Sequence, residues 1–170
     1  MKTTKGDVVL LVHRDWSPHG ADHFYELTKM GFYNDTRFFR VIRGFVVQFG
    51  MNGDPSVNHD WSEIFIQDDP PKVSNKAGTI TFARSGPNSR ATQVFINLAD
   101  NSRLDSEGFT PFGEVIEGME NVQHIYAGYG DWPPAGEGPD ESDIAASGNG
   151  FLDHRFPELD RLIRATIISS

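Results

Sequence analysis

The chain has 170 residues, of which 38% are hydrophobic and 23% charged, a composition typical of one globular domain with a sizeable core. Its formal net charge of −9 argues against binding to nucleic acid, whose phosphates attract basic surfaces. The absence of cysteine excludes disulfides, thiol nucleophiles and cysteine-ligated zinc.

The beginning of the chain is strand-like. The segment "DVVLLV" is short and β-branched, which predicts a first strand. Its apolar core, Val8–Val12, is too short for a secretion signal. No run approaches the roughly 18 apolar residues that cross a membrane, so no membrane partner is expected. The compartment stays open: cytoplasmic as the sequence stands, periplasmic or secreted if a leader precedes it.

A helix follows this strand. Ser17 is a candidate N-cap and Pro18 suits the first helical position, while apolar side chains recur with helical spacing and Gly31 offers a stop. The pattern predicts a helix over 18–30.

The middle of the chain alternates short strand-like segments with turn residues. "TITFA" (79–83), "QVFIN" (93–97) and "PFGEVI" (111–116) predict strands, and a short helix is expected over 119–127. Residues 128–150 are rich in glycine and proline and predict a loop, after which the apolar pattern returns. Many short strands with few helices favour an all-β barrel or sandwich.

Three segments in order resemble cyclophilin-type peptidyl-prolyl isomerases, and the compact loops are similar to those of bacterial members. They are "FFRVIRGFVVQFG" from Phe38, "GTITFARSGPNSRATQVFIN" from Gly78, and "LDSEGFTPFGEVIEGMENV" from Leu104. The resemblance implies a mainly β fold: a closed eight-stranded antiparallel barrel capped by two α-helices, with a filled interior and a ligand site outside. It also implies one domain over 1–170, with a surface excursion at about 128–160 and a closing strand near 165–169.

The resemblance assigns the enzymatic function and its site. The chain would rotate X-Pro peptide bonds in peptides and unfolded proteins, assisting folding as a monomer, without cofactor or metal. Arg40 would be the catalytic donor, and Gln48 would orient it and hold a substrate carbonyl. The other expected substrate-binding residues are Phe45, Val46, Ala83, Arg84, Gln93, Phe95, Leu104 and Phe109.

Simple chemistry supports this choice of arginine. The barrier to X-Pro rotation, near 20 kcal/mol, comes from partial double-bond character. A charged donor beside the prolyl nitrogen favours the twisted state, and the guanidinium is permanently charged with several fixed donors. Period-two spacing would put Arg40 and Gln48 on one strand face, unless a turn at Arg43-Gly44 intervenes.

Rival interpretations remain at this stage. The same groove could belong to a proline-binding chaperone with weak turnover, or the fold could be a hollow carrier of apolar ligands. His19 and His23 have a spacing that can bind metal, but a solvent-exposed pair is favoured because the glutamate of a metalloprotease motif is missing. The acidic stretches at 68–71 and 138–143 lack calcium-loop spacing and predict solvated loops. Arg103 stands where many members carry the tryptophan associated with cyclosporin, so tight cyclosporin binding is not expected.

Overall fold

Two antiparallel sheets form the body of the protein in the computed structural model, which describes residues 1–168. Their strand orders are β2-β1-β10-β4 and β3-β9-β7-β8-β6-β5. The strands are β1 Lys2–Thr3, β2 Gly6–Asp7, β3 Val9–Val12, β4 Thr36–Arg37, β5 Arg40–Ile42, β6 Val46–Phe49, β7 Thr79–Phe82, β8 Val94–Asn97, β9 Pro111–Glu117 and β10 Arg161–Arg164.

Helices pack around these sheets. They are α1 Pro18–Lys29, α2 Pro55–Trp61, α3 Met119–Gln123 and α4 Glu141–Arg155, with a 3-10 helix at Ser102–Glu107. The prediction for α1 is confirmed to within one residue, but α3 is shorter than the expected 119–127 because the backbone hydrogen bonds beyond His124 are those of turns. Within residues 1–168, no helix is both long and apolar enough to traverse a bilayer.

The start of α1 is capped from a distance. Ser17 occupies the N-cap position, as predicted, but its side chain makes no capping hydrogen bond to the helix. Instead Asp69 accepts hydrogen bonds from the backbone N–H groups of His19 and Gly20, each at 3.1 Å, and from the Ser17 hydroxyl. A carboxylate suits this place because helix N-termini carry unpaired N–H donors and a positive dipole end.

Side chains fill the space between the sheets and α1. The core includes Phe24, Tyr33, Phe49, Phe82 and Phe112, all 5% exposed or less. Their rings meet at tilted or edge-to-face angles, for example Phe24 and Phe112 with centroids 4.9 Å apart. This packing contradicts the hollow interior that a carrier of apolar ligands would need.

The region predicted as a loop contains a helix. Asp140 is the N-cap of α4, and its carboxylate accepts the backbone N–H of Ser142 at 2.9 Å. The helix kinks at Gly148, where φ is +61°. Ile144 and Leu152 on α4 are buried in a second apolar cluster with Phe39 and Met51. The excursion is therefore folded against the strands by apolar burial.

The closing strand lies earlier than expected. β10 spans Arg161–Arg164 and pairs with β1 and β4, whereas the sequence predicted 165–169. The reason is that Leu162 is fully buried between the neighbouring strands, while Ile167 and Ile168 are 45% and 73% exposed. The last residue of the predicted range, 169, lies outside the described residues.

Candidate active site

Arg40 and Gln48 meet across a hairpin. β5 and β6 pair antiparallel with Arg40 directly opposite Gln48, and the Arg40 Nη1 donates to Gln48 Oε1 at 3.0 Å. The turn between them passes through Gly44, whose φ is +71°. The turn at Arg43-Gly44 that the sequence allowed for does intervene, so the two residues do not share one extended strand. They are neighbours through cross-strand pairing instead.

Polar contacts continue from Gln48 across the sheet. Its Nε2 donates to Gln93 Oε1 at 2.9 Å, and Gln93 in turn donates to the carboxylate of Glu141 at the start of α4. Gln48 is 4% exposed, so these partners satisfy an amide that would otherwise be costly to bury. The row of side chains fixes the Gln48 carbonyl oxygen toward Arg40.

An apolar cavity of about 220 Å³ opens beside Arg40. Of the residues expected in the substrate site, Gln93 lines a neighbouring cavity instead, and all the others meet in this one. The lining residues are Arg40, Phe45, Val46, Gln48, Ala83, Arg84, Phe95, Leu104, Phe109 and Trp132. The cavity thus combines hydrophobic walls with a cationic side chain at its edge.

One wall of the cavity is held from behind by a buried amide. Asn75, which is fully buried, donates to the carboxylate of Asp105 at 2.7 Å and to the backbone carbonyl of Phe109 at 2.9 Å. The Phe109 ring then meets Phe95 edge-on, with centroids 5.7 Å apart. This network fixes the loop that carries Leu104 and Phe109 over the sheet.

Two of the side chains considered as alternative metal ligands make other contacts. His23 lies within 2.7 Å of the Ala91 carbonyl oxygen, and burial lowers its pKa, so it is not the solvent-exposed histidine that was expected. Among residues 1–168 there is no group of three or more histidine or acidic residues placed to bind a metal. The acidic stretch at 68–71 is also not fully solvated, because the Asp69 carboxylate is buried against Arg90 at 3.0 Å.

Comparison with known proteins identifies the family. Residues 1–139 match the family described as "Cyclophilin type peptidyl-prolyl cis-trans isomerase/CLD". The chain belongs to this family. The sequence-based prediction of a peptidyl-prolyl cis-trans isomerase, acting on proline-containing substrates, is thereby confirmed.

Relatives of this cyclophilin come from distant organisms. Peptidyl-prolyl cis-trans isomerase cypE of Dictyostelium discoideum is 35% identical over 133 residues, covering 75% of this chain and 83% of that protein. Peptidyl-prolyl cis-trans isomerase B of Escherichia coli (strain K12) is 33% identical over 132 residues, covering 72% and 80%. The similarity to bacterial members, which the compact loops predicted, is therefore confirmed.

Solved structures support the cyclophilin fold. A Cryptosporidium parvum cyclophilin crystallised in the presence of the dipeptide Ala-Pro has a TM-score of 0.69 at 20% identity, covering 100% of this chain and 98% of that one. Cyclophilin AquaCyp293 from Hirschia baltica has a TM-score of 0.71 at 17% identity, covering 99% and 73%. The mixture of antiparallel sheets and helices seen here is that of the cyclophilin fold.

Sequence reasoning did not include two side chains that contact Arg40. Asp131 accepts hydrogen bonds from the Arg40 Nε at 2.7 Å and Nη2 at 3.4 Å, and the Arg40 guanidinium carbon lies 4.0 Å from the centre of the Trp132 ring. The hydrogen bond from Arg40 holds the pKa of the Asp131 carboxyl below its usual range. One sequence signal could have drawn attention to these residues: an aspartate followed by a tryptophan within a stretch rich in glycine and proline.

A second, larger cavity of about 590 Å³ adjoins the first. Gln48, Ala83, Arg84 and Trp132 line both. Its other walls come from α2, from the segment 89–93 and from the first turn of α4. The cyclophilin therefore has a continuous groove, with the excursion forming part of its roof.

Proposed function

We propose that Arg40 is the electrostatic catalyst of prolyl isomerisation in this protein and that Gln48 orients it. The observation that carries the proposal is the position of Arg40 at the edge of an apolar cavity of about 220 Å³, hydrogen-bonded to Gln48 at 3.0 Å. No covalent step is required. The work of the site is to favour the twisted amide over the planar one.

The mechanism follows from the electronic structure of the amide. Rotation about the X-Pro bond breaks its resonance, and the nitrogen becomes pyramidal and regains a lone pair. A guanidinium has five N–H donors. In Arg40, three of the five N–H groups donate to Asp131 and Gln48: the one on Nε and one each on Nη1 and Nη2. Two N–H groups are left for the substrate. A hydrogen bond from one of them to the prolyl nitrogen holds the lone pair out of resonance and lowers the barrier.

The groove would bind the substrate in two ways. The proline ring would enter the apolar cavity between Phe45, Phe95 and Phe109, where burial of its methylene groups supplies binding energy. The chain on either side would pass Ala83 and Arg84, whose backbone would pair with it as an added strand. Gln93, on the wall of the larger cavity, would contact the residues that flank the proline. Peptides and unfolded proteins are the substrates that can present such an extended segment.

Replacement of Arg40 by alanine tests this proposal. We expect kcat/KM to fall on the order of 10² to 10³-fold, the scale for removal of a charged transition-state donor. NMR exchange measurements on an Ala-Pro peptide report the rate without a coupling protease. Arg14→Ala, which removes an exposed arginine paired with Asp22, is the matched control. Equal rates for Arg40→Ala and the parent would refute the assignment.

We infer further that the two sheets close into one eight-stranded barrel. β2 runs directly into β3, and β4 directly into β5, so each edge strand of one sheet continues as an edge strand of the other. Taking each pair as one bent strand gives the cyclic order β2/3, β9, β7, β8, β6, β5/4, β10, β1, with β1 returning to β2. That circuit has eight members and no free edge, which is the stable solution for an antiparallel sheet.

We also propose that 1–170 is a single domain that acts as a monomer. The excursion supports one domain, because its helix α4 buries Ile144 and Leu152 against Phe39 of the β4–β5 connection. The net charge of −9 favours separated molecules through mutual repulsion. Light scattering should give a mass near 19.0 kDa, and a doubled mass would contradict the proposal.

A further inference from the structure

We propose that Asp131 and Trp132 are positioning residues for prolyl isomerisation. Carried on the excursion, they hold the Arg40 guanidinium in its catalytic orientation, and Trp132 also forms one wall of the proline cavity. This inference rests on the proposed role of Arg40. It assigns a catalytic purpose to a segment that lies apart from the three cyclophilin-like motifs.

The hydrogen-bond geometry around Arg40 indicates orientation. Asp131 binds the side edge of the fork through Nε, at 2.7 Å, and Nη2, at 3.4 Å, while Gln48 binds Nη1 at 3.0 Å. Each of the three guanidinium nitrogens therefore has a protein acceptor. Because the fork is planar and rigid, contacts on both of its sides leave it one orientation.

Stacking adds a constraint perpendicular to that plane. The guanidinium carbon of Arg40 lies 4.0 Å from the centre of the Trp132 ring, which is within the range of a cation–π contact. Trp132 thus covers one face of the fork, while Asp131 and Gln48 hold its edges. The side chains of Arg40 and Asp131 are only 18% and 22% exposed, so water screens these contacts weakly.

Trp132 also lies at the junction of the two cavities. It lines both the proline cavity and the larger one, whereas Asp131 lines neither. The two residues therefore differ in what they can affect. Asp131 can act on the reaction only through Arg40, while Trp132 can act through Arg40 and through direct contact with the substrate.

The segment that presents these residues is itself fixed. The backbone carbonyls of Asp131 and Trp132 accept hydrogen bonds from Gly138 at 2.9 Å and from Gly136 at 3.1 Å. Gly136 has no room for a side chain, since an added Cβ would lie 2.3 Å from the Asp131 carbonyl oxygen. This tight turn leads into α4, which is anchored by Ile144. A positioning role needs such a rigid support.

Asp131→Asn is the first test, because asparagine keeps the shape and one acceptor but loses the charge and the second acceptor. We expect kcat for an Ala-Pro peptide to fall about 10-fold, since small errors in the placement of a catalytic group are costly. The KM should change little, because Asp131 does not line the groove. In an Arg40→Ala background the same substitution should have no further effect on kcat.

The control for charge is Asp22→Asn, which removes the exposed pair with Arg14 and should leave both constants at their parental values. A kcat for Asp131→Asn equal to or above that of the parent would overturn the inference, and a rise would mean that Asp131 restrains Arg40. An equal loss in the Arg40→Ala background would overturn it as well. Failure of the proposed function would be seen separately, as full activity of Arg40→Ala itself.

Trp132 provides a second variant that does not depend on the folding of Asp131→Asn. Trp132→Leu keeps an apolar wall but removes the ring over Arg40, and we expect kcat to fall about fivefold from the lost cation–π contact. Trp132→Phe keeps an aromatic face and should recover most of that loss. Parental kcat in the leucine variant would overturn the role of Trp132.

A spectroscopic signature separates orientation from general stability. The Arg40 Nε–H should give a resolved 15N-correlated signal that exchanges slowly with water in the parent, because it is bound to Asp131 at 2.7 Å. This signal should shift and exchange faster in Asp131→Asn while the signals of the core amides stay in place. An unchanged Arg40 signal would contradict the proposal.

Discussion

Replacement of Asp69 by asparagine removes a buried negative charge beneath the start of α1. The Asp69 carboxylate pairs with Arg90 at 3.0 Å, and the two side chains are 1% and 2% exposed. The same carboxylate accepts the Ser17 hydroxyl and two backbone N–H groups of α1. Burial alone would raise the pKa of Asp69, but the hydrogen bonds from Ser17, from the helix and from Arg90 together hold it below its usual value.

The expected loss is large because the variant leaves Arg90 buried without its counter-ion. Removing one partner of a buried ion pair costs about 3 to 5 kcal/mol, against a total stability of about 5 to 15 kcal/mol for a typical domain. For a chain of this length the loss corresponds to a fall in Tm of about 6 to 20 °C. The Arg90 Nε already has no hydrogen-bond partner within the described part of the chain, so the loss of the Asp69 charge adds to an existing deficit.

Urea unfolding followed by fluorescence measures this change directly. The control is Asp100→Asn, which removes an exposed carboxylate paired with Lys76 and should unfold with the parent. Asp69 lines neither cavity, so the kcat of the folded variant should be parental in the cold. An Asp69→Asn protein as stable as the parent would refute the reasoning about the buried pair. Partial recovery in Asp69→Asn combined with Arg90→Met would support it.

Two further predictions concern the cavity wall and one histidine. Phe109→Ala removes an apolar wall of the cavity proposed to hold proline, so the KM for an Ala-Pro peptide should rise about 10-fold; an unchanged KM would exclude Phe109 from the site. Burial lowers the pKa of His23 in the folded state, so the unfolded state binds more protons below about pH 6.5. The free energy of unfolding should therefore fall from pH 7.5 to pH 5.5, and by less in His23→Gln; equal slopes would contradict this.

The sequence predicted the secondary-structure elements that are determined by residues close together in the chain. α1 could be placed because Pro18 fits a first helical turn and the apolar spacing is regular. The carboxylate that accepts its first N–H groups could not be predicted, because Asp69 comes from a loop about fifty residues later. α4 was missed because Gly148 and Gly150 give it low helical propensity, and burial of Ile144 and Leu152 holds it in place.

The candidate site also contains both residues that the sequence could predict and residues that it could not. The three motifs predicted which residues form the cavity walls. In the structure, all of these residues except Gln93 line one cavity. The spacing argument for Arg40 and Gln48 held only if no turn intervened, and periodicity alone cannot decide whether a turn forms at Gly44 or which hairpin register follows from it. Asp131 and Trp132 were not predicted as part of the site, because a composition rich in glycine and proline indicates a loop without indicating what the loop contacts.

The residue that precedes Arg40 packs against this excursion. Phe39, the residue before Arg40, is 2% exposed because Ile144 and Leu152 of α4 pack against it. An apolar side chain next to Arg40 therefore provides the surface on which the excursion folds, and the folded excursion delivers Asp131 to Arg40 itself. The residue beside Arg40 and the long return to β10 therefore belong to one packed unit.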